Sequence, residues 1–261
     1  MEATIEVTSL VARYEDREIL KGISFSIPRG KVTVILGGSG CGKSTLLKHL
    51  IGLLRPAGGE ILINGQDIAA MEEDDMNEVR RKMGILFQGA ALLNSMTLED
   101  NVALPLREHT RLNESTIHIM VRMKLDLVGL SGFEHFSPSQ LSGGMKKRAG
   151  IARAMALDPE ILFFDEPSAG LDPVTAAGLD ELIIKLRDVF KRTIVVVTHE
   201  LPSVFTIADF VVMLDRGEVI FSGPLEDLRR SEEPRIRRFL DRRPETVAYS
   251  PEDYFRFIAG D

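Results

Sequence analysis

The pattern of apolar and polar positions along the chain predicts two kinds of β-strand. Three runs, "KVTVILGG", "EILFFDEP" and "RTIVVVTHE", are continuously apolar and rich in β-branched or aromatic residues until they end in Gly, Asp-Glu or Thr-His. Short apolar runs of this kind are typical of strands that are buried on both faces of a parallel sheet. The segments "TIEVTSL", "ISFSIPRG" and "EILINGQDI" alternate instead, and the last contains an Asn-Gly turn signal. We therefore expect an α/β fold with a mostly parallel core sheet and an antiparallel layer at one side.

The pattern becomes helical over about residues 89–140. This stretch is rich in Met and Leu and is interrupted at Pro105, Gly129 and Pro138. Proline and glycine often mark the ends of helices. We expect an inserted helical subdomain whose helices break at these three residues.

Composition excludes several classes of protein. The 261 residues are 44% hydrophobic, which is enough for a substantial core, and the net charge of −7 disfavours a broad nucleic-acid-binding face. The single cysteine, Cys41, rules out an intrachain disulfide. The N-terminal segment "MEATIEVTSL" does not resemble a signal peptide, and no apolar run approaches the roughly 18 residues of a membrane span. We expect a cytosolic chain that reaches a membrane only through a partner or a surface helix.

A phosphate-binding loop follows the first buried strand. The segment "GGSGCGKST" fits the pattern G-x-x-x-x-G-K-[ST] and lies between the strand "VTVIL" and the helical pattern "TLLKHLIGLL". Glycines let successive backbone N–H groups face phosphate oxygens, while the lysine reaches the β and γ phosphates and the serine ligates magnesium. The predicted nucleotide-binding residues are Gly37, Gly38, Ser39, Gly40, Cys41, Gly42, Lys43, Ser44 and Thr45.

Cys41 occupies a variable position of this loop. The simplest interpretation is a small residue that the turn tolerates. We nevertheless predict that alkylation of Cys41 obstructs nucleotide binding, because the added group would lie within the loop.

Carboxylates end the second buried strand. Asp165 can help to hold Mg²⁺, while Glu166 faces the γ-phosphate and positions or deprotonates the attacking water. His199 ends the third buried strand and is a candidate γ-phosphate contact, and Gln88 follows the apolar run "GILF". We predict Glu166, His199 and Gln88 as catalytic, and Ser44, Gln88 and Asp165 as the magnesium ligands.

The segment "QLSGGMKKRAG" is a second turn suited to anions, a glycine pair followed by a basic run that can open a helix. Together with the motifs above and Asp172 in "SAGLD", it resembles the ordered motif set of the ATP-binding cassette (ABC) ATPases over roughly residues 5–228. The resemblance implies the P-loop NTPase fold of that family, an ATPase activity, and ATP with Mg²⁺ as cofactors.

In that family the "LSGG" turn closes over the ATP held by a second, head-to-tail cassette. The resemblance implies that Ser142, Gly143 and Gly144 bind the ATP of a second copy and that Asp172 also contacts across the dimer. Tyr14 lies where the family commonly stacks an aromatic side chain on adenine, although a surface or core tyrosine is the alternative. The departure from the pattern is Met145, where glutamine is commonest.

A narrower resemblance concerns the cargo. The segments "LSGGM", "RAGIARAMALDPEILFFDEP" and "NVALPLREHT" resemble the ATPase subunits of the Mla type, which belong to phospholipid-transporting systems of Gram-negative bacteria. This implies a peripheral location on the cytoplasmic side of the inner membrane. The implied partners are a multi-pass permease, a lipid-binding mammalian-cell-entry-type protein and a small STAS-domain protein. We expect no nucleic-acid partner. Residues 104–110 would receive the permease's coupling helix, or form an ordinary helix or loop begun by Pro105.

Three alternatives remain open. The cargo could be different, for example an amino acid. A non-transport ABC ATPase of DNA repair or translation is disfavoured by the single signature, the compact spacing and the acidic sequence pI of about 5.4. A regulatory module that binds nucleotide without turnover is disfavoured by the intact Glu166.

The C-terminal residues form a predicted extension, 229–261, beyond an ATPase domain of residues 1–228. Ile236, Phe239 and Leu240 recur at i, i+3 and i+4, which predicts one apolar stripe on a short helix. The stripe packs either on the chain's own cassette or on the second ATPase or an accessory subunit. Aromatic residues after it favour the partner: Tyr249, Tyr254, Phe255 and Phe257.

Overall fold

The computed structural model of the chain describes residues 2–15 and 17–243, and two β-sheets with flanking helices account for most of them. The strands are β1 Ala3–Tyr14, β2 Arg17–Pro28, β3 Val32–Gly37, β4 Gly58–Ile63, β5 Gln66–Asp67, β6 Met83–Leu86, β7 Ile161–Asp165, β8 Thr193–Thr198, β9 Phe210–Asp215 and β10 Glu218–Pro224. The helices are α1 Lys43–Leu50, α2 Glu73–Arg81, α3 Leu98–His109, α4 Glu114–Leu127, α5 Gly143–Ala154, α6 Pro173–Asp188, α7 Leu201–Ile207, α8 Leu225–Arg230 and α9 Pro234–Leu240. The chain divides into two compact units, a large one that ends at Arg229 and a small one that begins at Arg230.

The core sheet has six strands in the order β10-β9-β3-β8-β7-β6. Strands β6, β7, β8, β3 and β9 are parallel, and β10 returns antiparallel to β9. Every residue of β3 and of β8 is buried. Covering on both faces explains why these sequences are continuously apolar rather than alternating. The predicted parallel core is confirmed.

The second sheet is the predicted antiparallel layer. Its strands follow the order β2-β1-β4-β5, and each neighbouring pair is antiparallel. Along β1 and β2 buried residues are interspersed with exposed ones, so only part of each strand contributes to the core. The alternating segments of the sequence therefore correspond to strands with one solvent-facing side.

The inserted segment forms α3 and α4, followed by a 3₁₀ turn at Pro138–Gln140. Side chains cap both helices: the Thr97 hydroxyl accepts from the Asp100 amide at 3.1 Å, and the Asn113 side chain accepts from the Thr116 amide at 2.9 Å. Gly129 follows the last turn of α4 with a φ of 74°, as a helix end requires.

The predicted helix break at Pro105 is wrong. Pro105 lies inside α3, which continues to His109. Buried side chains on both sides of the proline, Val102 and Leu106, pack the helix onto its neighbours. This packing outweighs the loss of one backbone hydrogen bond.

The predicted C-terminal apolar stripe lies on a helix. Ile236, Phe239 and Leu240 all belong to α9, while the aromatic residues from Tyr249 onward lie outside the described residues. The division into domains at residues 228 and 229, and the docking role of the extension, stay predictions. Within residues 2–15 and 17–243, no helix is long and apolar enough to cross a bilayer.

Candidate nucleotide-binding and hydrolysis site

Sheet order brings the predicted site segments together. Strands β3, β8, β7 and β6 are neighbours and run parallel, so their C-terminal ends lie along one edge. In that order the strands end at Gly37, Thr198, Asp165 and Leu86. The phosphate loop, His199, the acid pair and the Gln88 segment therefore follow one another along this edge, where open α/β sheets bind ligands.

Glycines fix the shape of the loop between β3 and α1. A Cβ on Gly37 would overlap the Leu214 carbonyl oxygen and lie 2.6 Å from Cys41 Sγ. Gly42, just before α1, has a φ of 112°, which other residues rarely adopt. The loop can therefore bring its backbone close to a phosphate only with glycine at these positions.

Lys43 opens α1 and is buried. Its Nζ donates to the carbonyl oxygens of Gly37 at 2.7 Å and Gly38 at 2.9 Å. An ammonium group has three donors, so one remains for a phosphate. Gly42 offers no side-chain cap, which leaves the first N–H groups of α1 available to an anion.

The rest of the loop divides into exposed and buried residues. Gly38, Ser39, Gly40 and Ser44 are exposed, and Thr45 is half-buried. The Cys41 side chain is only 7% exposed, and burial raises the pKa of its thiol. Cys41 therefore packs beneath the loop, in agreement with the interpretation of a small tolerated residue.

Glu166 is held at four atoms. Its backbone has a φ of 45°, and its amide donates to the Val197 carbonyl oxygen at 2.8 Å. The Thr198 hydroxyl donates to Oε2 at 3.1 Å, and His199 Nδ1 lies 2.8 Å from Oε1. The Glu166 carbonyl oxygen accepts from Lys147 Nζ at 2.9 Å. The carboxylate is thus fixed beside His199, which is itself half exposed at the strand edge.

Asp165 is suited to hold a cation. Burial raises the pKa of this carboxyl, and the neighbouring Glu166 raises it further, while Lys43 opposes both effects. A divalent ion brought by a nucleotide would favour the ionised form in the same way.

The donor set fits magnesium. Ser44, Gln88 and Asp165 supply hydroxyl, amide and carboxylate oxygens, which Mg²⁺ prefers together with phosphate and water. Across the described part of the chain, no group of three or more His, Cys, Asp or Glu residues could hold a metal. The three oxygen donors named above suit an ion that completes its coordination with phosphates and water.

Gln88 lies after β6 with its side chain exposed, and its carbonyl oxygen accepts from Lys147 Nζ at 2.5 Å. The next arginine along α5, Arg148, donates to the carbonyl oxygens of Val128 and Gly178, each at 3.0 Å. Thus two residues of the basic run after the glycine pair, Lys147 and Arg148, donate hydrogen bonds to backbone carbonyl oxygens. The groups left for an anion at this turn include Ser142 and the first N–H groups of α5.

The residues predicted to contact a second copy lie together. Ser142 caps α5 by accepting from the Met145 amide at 3.3 Å, and both Ser142 and Gly143 are exposed. A Cβ on Gly144 would overlap Thr175 Cγ2, so α5 begins against the start of α6. Asp172 caps α6, and hydrogen bonds from Thr175 hold the pKa of its carboxyl below the usual value.

Tyr14 ends β1 and is 47% exposed, so its ring is accessible to a ligand.

Thr198 and Lys147 were not predicted as site residues, although each touches Glu166. Thr198 is the polar end of a fully apolar strand, which is a signal that the sequence offers. Nothing in the sequence distinguishes Lys147 from the neighbouring basic residues.

Comparison with known proteins agrees with this geometry. The family model for ABC transporters matches residues 20–169, which include the phosphate loop, Gln88, the "LSGG" turn and the acid pair. The chain belongs to the ABC transporter family. It is an ABC ATPase that binds and hydrolyses ATP, and it is the motor subunit of a transporter.

The relatives of this ABC ATPase carry two kinds of name. The intermembrane phospholipid transport system ATP-binding protein MlaF of Escherichia coli K12 is 45% identical over 246 residues, which cover 94% of this chain and 90% of the relative. The probable ribonucleotide transport ATP-binding protein mkl of Mycobacterium tuberculosis H37Rv is 47% identical over 243 residues, which cover 93% of this chain and 68% of the relative.

A solved structure shares the fold. It is described as the dimeric, post-hydrolysis state of the ATP-binding cassette MJ0796 bound to ADP and Pi. It is 30% identical and superimposes with a TM-score of 0.78, covering 85% of this chain and 98% of that one.

Proposed function

We propose that this ABC ATPase drives phospholipid transport between the inner and outer membranes of a Gram-negative bacterium, with Glu166 as the base for ATP hydrolysis. The role of Glu166 is supported by the position of its carboxylate. Thr198 and His199 hold this carboxylate at the same edge of the core sheet as the phosphate loop. The cargo is argued from the relatives.

Binding of ATP begins at the phosphate loop. The N–H groups of the exposed residues 38–40 and of the start of α1 surround the phosphates, and Lys43 donates its third hydrogen to them. The Tyr14 ring stacks on the adenine. Ser44, Asp165 and Gln88 would hold a magnesium ion, which would supply positive charge beside the phosphates.

Hydrolysis requires a positioned water. Glu166 accepts a proton from the water or orients it toward the γ-phosphorus, and the contacts from Thr198 and His199 keep the carboxylate in place. The exposed side of His199 faces outward from the strand edge, where it contacts the γ-phosphate. Removal of this base typically costs about 100-fold or more in rate.

Two copies share each ATP. Ser142, Gly143 and the start of α5 carry donors that the chain's own nucleotide does not need, and Asp172 lies beside them. In a head-to-tail dimer Ser142 and the N–H groups close over the partner's γ-phosphate, and Asp172 contacts the second copy, so ATP holds the dimer together and hydrolysis releases it.

Phospholipid is favoured over ribonucleotide as the cargo. The MlaF proteins match this chain over 90% or more of their length, and the Haemophilus influenzae MlaF matches over 97% of both chains. The ribonucleotide-named relatives are matched over only 68 to 70% of theirs. The match to MlaF thus extends over nearly the whole relative, whereas the match to the ribonucleotide-named proteins leaves part of each of them unmatched.

The proposed contact with a membrane partner is argued from a cleft beside α3. A cleft of about 340 Å³ lies between the start of β6 and α3, lined in part by Arg81, Phe87, Pro105 and His109. We propose that it receives the coupling helix of a multi-pass permease at the cytoplasmic face of the inner membrane. A mammalian-cell-entry-type protein and a STAS-domain protein complete the proposed assembly.

One experiment tests the base and the cargo together. A tagged Glu166→Gln variant is purified from bacterial membranes in mild detergent with ATP, and its proteins and lipids are identified by mass spectrometry. We expect an ATP-bound dimer, hydrolysis reduced by about 100-fold or more, and a permease that carries phospholipid. The matched control is Glu181→Gln, at an exposed position of α6, which should hydrolyse ATP at the normal rate.

The outcomes separate the two parts of the proposal. Normal hydrolysis by the Glu166 variant removes Glu166 as the base. A permease with nucleotide or amino-acid cargo keeps the motor and overturns the lipid assignment. Absence of any membrane partner for both variants overturns the proposed assembly.

A further inference from the structure

Lys147 is a buried cation with no place in the mechanism above. It lies in α5 with 6% of its surface exposed. Its Nζ donates to the carbonyl oxygens of Gln88 at 2.5 Å and of Glu166 at 2.9 Å. A buried ammonium costs free energy unless its donors are satisfied, so these two bonds account for its presence.

Both carbonyls belong to segments that must be placed accurately. Glu166 has a φ of 45°, a left-handed conformation that is unfavourable for a non-glycine residue and persists only where its surroundings impose it. Its amide is bound to Val197 on β8, and its carbonyl is bound to Lys147. The same carbonyl oxygen also accepts from the Ala169 amide at 3.2 Å, so Lys147 supplies one of the three backbone contacts that hold the proposed base in this conformation.

The segment after Gln88 is held by the same helix. Ala90 and Ala91 also have positive φ values, 59° and 48°. Their carbonyl oxygens accept from Arg153, at the end of α5, at 2.9 Å and 2.7 Å. Lys147 and Arg153 thus attach α5 to this segment at two separate points.

The charges around Lys147 agree with this assignment. Burial lowers the pKa of its ammonium group, while Asp165, Glu166 and Glu200 favour the charged form. The cation lies close enough to these carboxylates to act on them, yet its hydrogen bonds go to carbonyl groups. Hydrogen bonding to the backbone therefore describes its role better than an ion pair does.

We propose that Lys147 is a positioning residue for hydrolysis, which fixes the backbones of Glu166 and the Gln88 segment to the helix that begins at Ser142. A displacement of α5 would then move the backbones of Glu166 and of the Gln88 segment together. The inference rests on the proposed role of Glu166 as the base, and it adds a residue that does not itself touch ATP.

The test compares Lys147→Met, Lys147→Gln and the native chain, each full-length and purified with its membrane partners. Methionine has a similar length and no donor, whereas glutamine retains two donors for the carbonyl oxygens. We expect the Met variant to lose about 10-fold or more in kcat, as loss of positioning does, with KM for ATP changed less than about threefold. The Gln variant should recover kcat to within about threefold of the native value.

Three controls make the result decisive. Lys185→Met, at an exposed position of α6, should match the native chain. If the Met variant does not fold, Lys147→Ser replaces it, because a small side chain lets water solvate both carbonyls without fixing them. Glu166→Gln is assayed alongside, since its hydrolysis must fail if the proposed base is correct.

Each remaining outcome overturns the inference. A Met variant with native kcat shows that positioning needs no donor at residue 147. A Gln variant as slow as the Met variant, or a parallel loss of ATP affinity, indicates a general structural role. If Glu166→Gln hydrolyses ATP normally, Glu166 is not the base, and the inference about Lys147 fails with it. If Glu166→Gln is inactive but Lys147→Met has native kcat, only the inference about Lys147 fails.

Discussion

Individual residues at the site are held by neighbours rather than by their own preferences. Glu166 illustrates this, because its strained backbone and both carboxylate oxygens have partners on β8 or α5 or just after β8. The base therefore needs little reorganisation when ATP arrives, which is the condition for effective electrostatic catalysis. Packing likewise buries the Cys41 thiol and raises its pKa, which lowers its reactivity.

Cys41 gives the prediction at this scale. Because it is buried and its thiol pKa is raised, we expect alkylation by iodoacetamide at neutral pH to be about 10-fold or more slower than in urea. Mass spectrometry follows the reaction cleanly, since the chain has one cysteine. The small fraction that does react should bind ATP weakly, because the loop has no room for the added group.

The control is the same reaction with ATP present, which should slow it further. Equal rates for the folded and unfolded chains would contradict the burial of Cys41. Full ATP affinity after stoichiometric modification would contradict its packing beneath the phosphate loop.

The role of a site residue could be predicted from the sequence where a motif defines it. It could not be predicted where the role depends only on which side chain is buried. The phosphate loop and the acid pair are recognisable because their chemistry needs particular residues at fixed spacing. Lys147 is one of three consecutive basic residues, Lys146 to Arg148, and only the packing of α5 decides which of them turns inward. Residue type alone carries no such information.

At the scale of elements, α5 and β6 are packed unusually closely. A Cβ on Gly84 in β6 would overlap the Ala154 carbonyl oxygen, and one on Gly150 would lie 2.6 Å from Leu86 Cδ1. Two glycines, one on each element, allow this approach. The contact sets the distance between the "LSGG" helix and the Gln88 segment.

We expect Gly84→Ala to lower the free energy of unfolding by about 1–3 kcal/mol, because the added methyl group has no space. Urea denaturation measures the change. The control is Gly58→Ala in β4, where a Cβ would lie 3.9 Å from Val11 and should cost less than about 0.5 kcal/mol. Equal stability of the two variants would show that β6 and α5 separate without cost.

The elements themselves were largely predictable from periodicity. The buried parallel strands and the alternating strands agree with their sequence patterns because burial on two faces or one imposes those patterns. The break at Pro105 failed because tertiary packing on Val102 and Leu106 overrides local propensity. The hairpin of β9 and β10 went unassigned, although Arg216 and Gly217, with φ values of 49° and 82°, form a turn between two apolar runs.

At the scale of the whole molecule, the chain presents two sets of donor groups that are suited to anions. One follows β3 and the other starts α5, and the second has an exposed serine and glycine at its tip. Sheet order, which the sequence does not specify, brings the first set together with His199 and Glu166. The proposed dimer uses the second set on the partner's ATP.

Gly143→Asp tests this arrangement. A Cβ at this position would lie 3.5 Å from Leu171 Cδ2, so the substitution fits the single chain, while the added carboxylate repels phosphate. In the Glu166→Gln background we expect loss of the ATP-dependent dimer and nearly normal ATP binding to the monomer. Light scattering measures the dimer, and equilibrium dialysis measures the affinity.

Lys43→Ala provides the contrast, because it should lose ATP binding and dimer together. A Gly143→Asp variant that still dimerises with ATP would exclude the "LSGG" turn from the shared site. Loss of ATP binding by the monomer would place the turn at the chain's own nucleotide instead.

The shielded position of Cys41 has a practical consequence for spectroscopy. Because the native thiol is buried, a cysteine introduced at an exposed site would be the main target of a maleimide spin label or fluorophore, without removal of the original one. Val174, 82% exposed beside Asp172, is such a site. Electron–electron distances between two labelled copies would then follow dimer closure through the ATP cycle in the otherwise native sequence.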